Sequence, residues 1–177
     1  MTDRPVAADK IGSVNTELAA SAFRIEKRRT NATLTLSSGK AIQGSFFIAG
    51  GSALHAGPER VGDLLNAEPG FLPFEIDDGE RTQTVLYNRS QIVMVELAGH
   101  EARRDPGYDV ATARTVSALL TTGHRVVGTV RVYRPRGRDR LSDWARQPEA
   151  FRYVESADVT LVINVAHIVE VSEMSES

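Results

Sequence analysis

Two stretches of the sequence decide the fold: VLYNRSQIVMVEL, residues 85–97, and LVINVAHIVEV, residues 161–171. Each contains an apolar segment, an asparagine, three further residues and a second apolar segment. Asn88 and Asn164 therefore occupy equivalent positions, 76 residues apart. Asparagine caps tight turns through its side chain and tolerates left-handed backbone geometry. Each stretch thus predicts two strands that are joined by a short turn.

The similarity extends over most of the chain and indicates an internal duplication. LTLSSGKAIQGSF aligns with ALLTTGHRVVGTV at an offset of 84 residues, and both ERVGDLLN with DRLSDWAR and FLPFE with FRYVE align at an offset of 80. The offset falls again, to 76, in the two stretches quoted first. The second copy has therefore lost four residues in each of two segments. We interpret these segments as loops, where deletions are tolerated.

Each copy predicts five short strands. Leu34 and Leu36 alternate with threonines, which is the pattern of a half-buried strand, and the SSGK segment that follows predicts a hairpin turn. Gly44 and Gly128 recur on the apolar face of the second strand. A glycine at such a position marks a bend, a bulge or a close approach of two backbones. In the fifth strand, we expect Val93 and Val95 to point inward together.

A short helix is predicted between the second and third strands of each copy. In the second copy, Asp139 is the expected N-cap residue, and Trp144 lies on the apolar face. We interpret Trp144 as a lid over the core, with a stacking platform for a ligand as the alternative. In the first copy, the apolar face is formed by Val61, Leu64 and Leu65.

This pattern of strands, short link and recurring glycine resembles the small barrels of the Sm and SH3-like superfamilies, over residues 31–97 and 115–171. It also looks like duplicated bacterial domains that are uncharacterised. The resemblance implies a mainly β protein of two tandem five-stranded barrels, each with a short helix between strands 2 and 3. Where RNA-binding Sm proteins carry a basic-glycine loop, this chain reads NRSQ and NVAH, so no RNA-binding residue is carried over.

The domain organisation follows from these boundaries. We predict an N-terminal helical arm at residues 1–30, a first barrel at 31–97, a linker at 98–114, a second barrel at 115–172 and a tail at 173–177. The linker is rich in glycine, proline and charged residues. The arm predicts an amphipathic helix, because apolar residues recur at helical spacing in it: Ile11, Val14, Leu18, Ala22 and Ile25.

Composition limits the classes of function. The net charge of −2 provides no global field that attracts nucleic acid or an anionic membrane. The chain has no cysteine, which excludes thiolate nucleophiles and thiolate metal sites and suits a cytoplasmic location. We expect neither a signal peptide nor a membrane span, because no apolar run approaches the roughly 18 residues that a span needs.

Catalytic motifs are not evident. The four histidines show no metal-ligand spacing, and the chain contains neither a phosphate loop nor a G-x-S-x-G elbow. We therefore expect no enzyme, no metal site and no cofactor.

One segment has a composition that is typical of an anion-binding site: RVYRPRGRDR, residues 131–140, which we call the Arg-rich loop. It holds five arginines and one aspartate, whereas the equivalent segment of the first copy has one arginine, Arg60. The arginine guanidinium suits bidentate contacts with phosphate or carboxylate. The alternative is a solvated loop whose arginines pair with nearby acidic residues. The candidate anion-binding residues are Arg131, Tyr133, Arg134, Arg136, Arg138 and Arg140.

Two hypotheses for function remain. The preferred one is a noncatalytic interaction or scaffold module of a bacterial regulatory or structural assembly, which binds a protein partner or a second copy of itself through the edges of its barrels. Exposed strand edges invite pairing, which is a common binding mode. The alternative is a protein that binds RNA or another anionic ligand through the Arg-rich loop, with an affinity that falls steeply with salt.

Overall fold

The computed structural model describes residues 27–77, 79–135 and 137–174, and the chain is mainly β over these ranges. Helix α1 spans Val61–Ala67 and helix α2 spans Leu141–Ala145. The amphipathic helix that the sequence predicts in the arm lies outside the described residues. The ten strands are β1 Lys27–Leu36, β2 Ala41–Ala49, β3 Phe71–Asp77, β4 Thr82–Asn88, β5 Ile92–Ala98, β6 Thr112–Leu120, β7 Arg125–Val132, β8 Phe151–Ser156, β9 Val159–Asn164 and β10 Ile168–Glu173.

All ten strands belong to one antiparallel sheet, in the order β10-β6-β7-β8-β9-β5-β1-β2-β3-β4. The two copies of the repeat have the same internal order, since the fifth strand of each lies beside its first strand. The copies are joined where β5 of the first half pairs with β9 of the second half. We call this pairing the internal junction. Among the described residues, no helix is long and apolar enough to cross a membrane.

The recurring glycines lie where two backbones approach closely, as the sequence predicts. A Cβ atom on Gly44 would lie 2.2 Å from the carbonyl oxygen of Glu75, and one on Gly128 would lie 2.4 Å from that of Glu155. At these points β2 passes to β3, and β7 to β8, through a single paired position each. In both halves, the backbone of the next strand therefore leaves no room for a side chain at the recurring glycine.

The turn role of the recurring asparagines is confirmed. The side-chain oxygen of Asn88 accepts a hydrogen bond from the Ser90 backbone N–H at 3.0 Å, and that of Asn164 accepts one from the Ala166 N–H at 3.1 Å. In each half, one turn of 3-10 helix then reverses the chain into the last strand.

The two helices begin in the same way. The Asp63 carboxylate accepts a hydrogen bond from the backbone N–H of Arg60 at 3.0 Å, and the Asp143 carboxylate accepts one from that of Arg140 at 3.1 Å. The prediction that Asp139 caps the second helix is wrong, because Arg140 is the N-cap residue. Asp139 instead accepts from the Gly137 N–H at 3.1 Å within its own loop.

The apolar side chains form two cores, and each core contains side chains from both halves. Phe151 and Val162 of the second half pack in the first core, whereas Val93 of the first half packs in the second core. Val93 and Val95 are both completely buried, as the sequence predicts, but they pack in different cores. A register shift opposes Leu36 to Ile92 and Thr35 to Met94, which makes Val93 the extra residue of a β-bulge and turns it toward the second core.

Candidate functional site

The described residues contain a cleft of about 410 Å³ between the two halves. Helix α1 forms one wall, and strands β7 and β8 form the other. Three residues of the Arg-rich loop line it: Arg131, Tyr133 and Arg134. The cleft is therefore the place where the predicted site residues meet the first half of the chain.

Arg60 is the centre of an ion cluster on the first wall of the cleft. Its guanidinium lies 2.6 Å from one oxygen of Asp63 and also pairs with Asp105, and its side chain is almost completely buried. Nε2 of His55 lies 2.7 Å from the other Asp63 oxygen. Burial raises the pKa of the Asp63 carboxyl, but the hydrogen bonds with Arg60 and His55 outweigh it, so this pKa lies below its ordinary value. The charge of Arg60 is thus already neutralised inside the chain.

Arg131 is neutralised in a similar way on the second wall. Its Nε lies 3.1 Å from Glu155, and its guanidinium stacks over the Tyr108 ring, 4.0 Å from the ring centroid. The Tyr108 hydroxyl accepts a hydrogen bond from Arg131 at 2.7 Å and donates one to Glu155 at 2.6 Å. Burial raises the pKa of the nearby Tyr133 hydroxyl to about 12, so this group stays protonated at neutral pH.

The remaining residues of the Arg-rich loop do not join this cluster. Arg134, Arg138 and Arg140 are exposed, and Arg136 lies outside the described residues. Four carboxylate side chains balance the four arginines that line the cleft. Its charged lining residues are Arg60, Arg131, Arg134, Arg152, Asp63, Asp105, Glu149 and Glu155.

The predicted linker contributes contacts that the sequence analysis missed. It forms two short 3-10 helices, and β6 begins at Thr112, inside the predicted linker range. Glu101 accepts a hydrogen bond from the backbone N–H of Val61 at 2.7 Å, at the start of α1, and burial raises the pKa of Glu101. Asp105 and Tyr108 bind the arginines of the two walls. The segment therefore fastens the two halves to each other, although its glycine, proline and charged residues are those of a linker.

The second candidate site is the pair of strands at the two ends of the sheet, β4 and β10. Neither has a strand partner on its outer side among the described residues. The duplication makes β4 the equivalent of β9, and β10 the equivalent of β5. The open edges are therefore the repeat equivalents of the two strands that pair with each other at the internal junction.

The exposure of equivalent side chains differs sharply between the junction and the open edges. Phe151, Val162 and Val93 are 5 %, 0 % and 0 % exposed at the junction. Their equivalents at or beside the open edges are Phe71, Leu86 and Val169, which are 64 %, 61 % and 62 % exposed. Large apolar side chains are thus left in solvent at positions that the other copy buries.

Polar contacts at the junction show the same difference. The side-chain amide of buried Asn164 donates a hydrogen bond across the junction to the Ile92 carbonyl oxygen at 3.0 Å. Thr160 donates across it to the Gly99 carbonyl oxygen at 2.8 Å. The equivalent amide nitrogen of Asn88 makes no hydrogen bond to another described residue.

In the part of the chain that the structure describes, no group of three or more histidines and acidic residues is arranged to hold a metal ion. No family model matches the chain, and no curated protein or solved structure matches it.

Proposed function

We propose that this protein is a noncatalytic interaction module that binds a protein, either a second copy or another chain, through the open edges β4 and β10. The observation that carries the proposal is the exposure of Phe71, Leu86 and Val169, whose equivalents in the other copy are buried at the internal junction. Open strand edges with apolar side chains pair readily with another strand.

The proposal includes the fold of each half. We propose that each set of five strands closes into a small barrel of the Sm and SH3-like kind. The strand order within each half and the close backbone approaches at Gly44 and Gly128 support it.

Ligand binding in the cleft has less support. Arg60 and Arg131 already pair with carboxylates of the same chain. An anion would have to displace these internal partners, and each displacement leaves a carboxylate without its partner in a partly buried site. The alternative hypothesis therefore depends on the exposed arginines of the Arg-rich loop, and an RNA-binding experiment tests it.

The native size of the chain in cell extract tests the proposal. We expect a species larger than a monomer in about 0.15 M and in about 0.5 M salt, because salt screens exposed charges but leaves apolar strand pairing intact. Changing Leu86 and Val169 to lysine should give a monomer. The matched control adds the same charge at two exposed positions that belong to neither edge strand, Val110 and Val127.

A wild-type chain that is monomeric in extract at both salt concentrations would overturn the proposal. So would a large species that persists in the edge variant, because the binding surface would then lie elsewhere. Thermal melting of both lysine variants checks that each is folded before its size is interpreted.

A further inference from the structure

The register of the internal junction can be transferred to the open edges, because these edges are the repeat equivalents of the junction strands. The internal junction pairs β9 with β5 in an antiparallel register that opposes Val162 to Val95 and Thr160 to Leu97. Subtracting the 76-residue offset converts β9 into β4, and adding it converts β5 into β10. The same register then opposes Leu86 to Val171 and Thr84 to Glu173.

We infer that the occupant of the open edges is a second copy of this chain, bound head to tail so that β4 of one molecule pairs with β10 of the next. This inference rests on the proposed function and names its partner. The contact repeats the internal junction, so the sheet continues from one molecule into the next. It is heterologous, which means that it produces rings if the rotation closes and filaments if it does not.

Across the proposed contact, each exposed apolar side chain meets a core of the other molecule. At the internal junction, Val162 enters the first core beside Val95. By equivalence, Leu86 enters the second core of the next molecule beside Val171, which is half-buried and already packs against that core. In the reverse direction, Val169 takes the place of Val93 and meets Tyr87, which packs against the first core. Each molecule therefore buries an apolar side chain of the other, Leu86 in one direction and Val169 in the other.

A hydrogen-bond donor is available as well. Asn164 donates across the internal junction to the Ile92 carbonyl oxygen. The equivalent donor, the amide nitrogen of Asn88, would reach the Ile168 carbonyl oxygen of the next molecule. This contact would satisfy a group that has no partner among the described residues.

The outer contact differs from the internal junction in ways that set its strength. Glu170 and Glu173 of β10 replace Met94 and Leu97 of β5, and each glutamate already pairs with an arginine of its own half. Polar groups on an edge strand weaken pairing. We therefore expect a reversible assembly that depends on protein concentration, whereas the internal junction is permanent.

Site-specific disulfide formation tests the register. The 177-residue chain has no cysteine, so each introduced thiol is unique. Residues directly opposite in an antiparallel pair have Cα atoms roughly 4.5–5.5 Å apart, which lies within the range that a disulfide spans. The purified Leu86→Cys and Val171→Cys variants are mixed and oxidised. The expected product is a covalent species of twice the chain mass of 19.3 kDa, with little from either variant alone.

Two further mixtures make the result specific. Thr84→Cys with Glu173→Cys places both thiols at exposed positions and should also cross-link, which guards against misfolding of the Val171 variant. Leu86→Cys with Val110→Cys is the control, since Val110 is 88 % exposed but belongs to neither edge strand. No covalent dimer is expected from this mixture.

Two results would overturn the inference. Cross-linking of the Leu86→Cys variant to itself as efficiently as in the mixture would show symmetric pairing of two β4 strands. No cross-link in either matched mixture would show that the second copy is not the occupant. If the chain is nevertheless large in extract, the proposed function stands with another protein as partner, whereas a monomer in extract removes both.

Discussion

Truncating the two equivalent phenylalanines should give very different losses of stability. Phe151→Ala removes a side chain that is 5 % exposed and packs in the first core. Deleting a buried phenylalanine side chain costs about 3–5 kcal/mol, because the transfer free energy is lost and a cavity remains. Phe71→Ala removes a side chain that is 64 % exposed. Only about a third of its surface is buried, so the expected cost is roughly 0.5–1 kcal/mol.

The assays are urea unfolding and thermal melting of both variants, each followed by circular dichroism and by the fluorescence of the single tryptophan, Trp144, which is buried in the second core. For a chain of this size, each kcal/mol lowers the melting temperature by about 2–4 °C. Phe151→Ala should therefore melt about 6–20 °C below the wild type, and Phe71→Ala within a few degrees of it. The protein is kept dilute so that contacts between molecules do not contribute.

Equal losses for the two variants in dilute solution would refute the reasoning, because the two halves would then be packed alike. A cost of Phe71→Ala that grows with protein concentration is expected if the open edges associate. The comparison has its own control, because both substitutions remove the same atoms from the same position of the repeat.

Gly128→Ala should cost about 1–3 kcal/mol, because the new Cβ would meet a backbone carbonyl oxygen at 2.4 Å, whereas Gly51→Ala faces open space and should stay within about 0.5 kcal/mol in the same urea assay. The folded-state pKa of Asp63 lies below its ordinary value of 3.8, so its contribution to stability is complete above that value and is lost as the pH falls through the folded pKa. Asp63→Asn should therefore flatten the acid limb of the unfolding free energy relative to the wild type. In fluorescence anisotropy with a mixed-sequence RNA, we expect no binding near physiological salt and no change when the exposed arginines of the Arg-rich loop become alanine, because the chain carries a net charge of −2. Binding that this variant loses would instead identify the loop as a nucleic-acid site.

The sequence was sufficient for features that depend on local chemistry. Asn88 and Asn164 could be assigned to turns because the asparagine side chain bonds to a backbone only two residues away. Gly44 and Gly128 indicated a bend, a bulge or a close approach of backbones because they recur on an apolar face, and the close approach is what the structure shows. The duplication made both predictions stronger, since each signal appears twice.

Features that depend on distant partners could not be predicted in this way. The bulge that turns Val93 into the second core is set by the register with β1, and apolar alternation carries no information about register. Asp105 and Tyr108 looked like linker residues because their partners, Arg60 and Arg131, lie more than 20 positions away on opposite sides. For the same reason, the sequence did not show that Arg131 differs from the other arginines of the Arg-rich loop. Arg131 binds both Glu155 and Tyr108, which lie far from it in the sequence.

The exchange of side chains at the internal junction has a consequence for cooperativity. Each core is completed by residues of the other half, so neither half has a full core when it is alone. The two halves should therefore melt in a single transition, and a chain divided after β5 should give two fragments that fold only when they are mixed. An ancestor with one repeat would have needed a neighbour to fold, and fusing two copies supplied that neighbour once, within the same polypeptide.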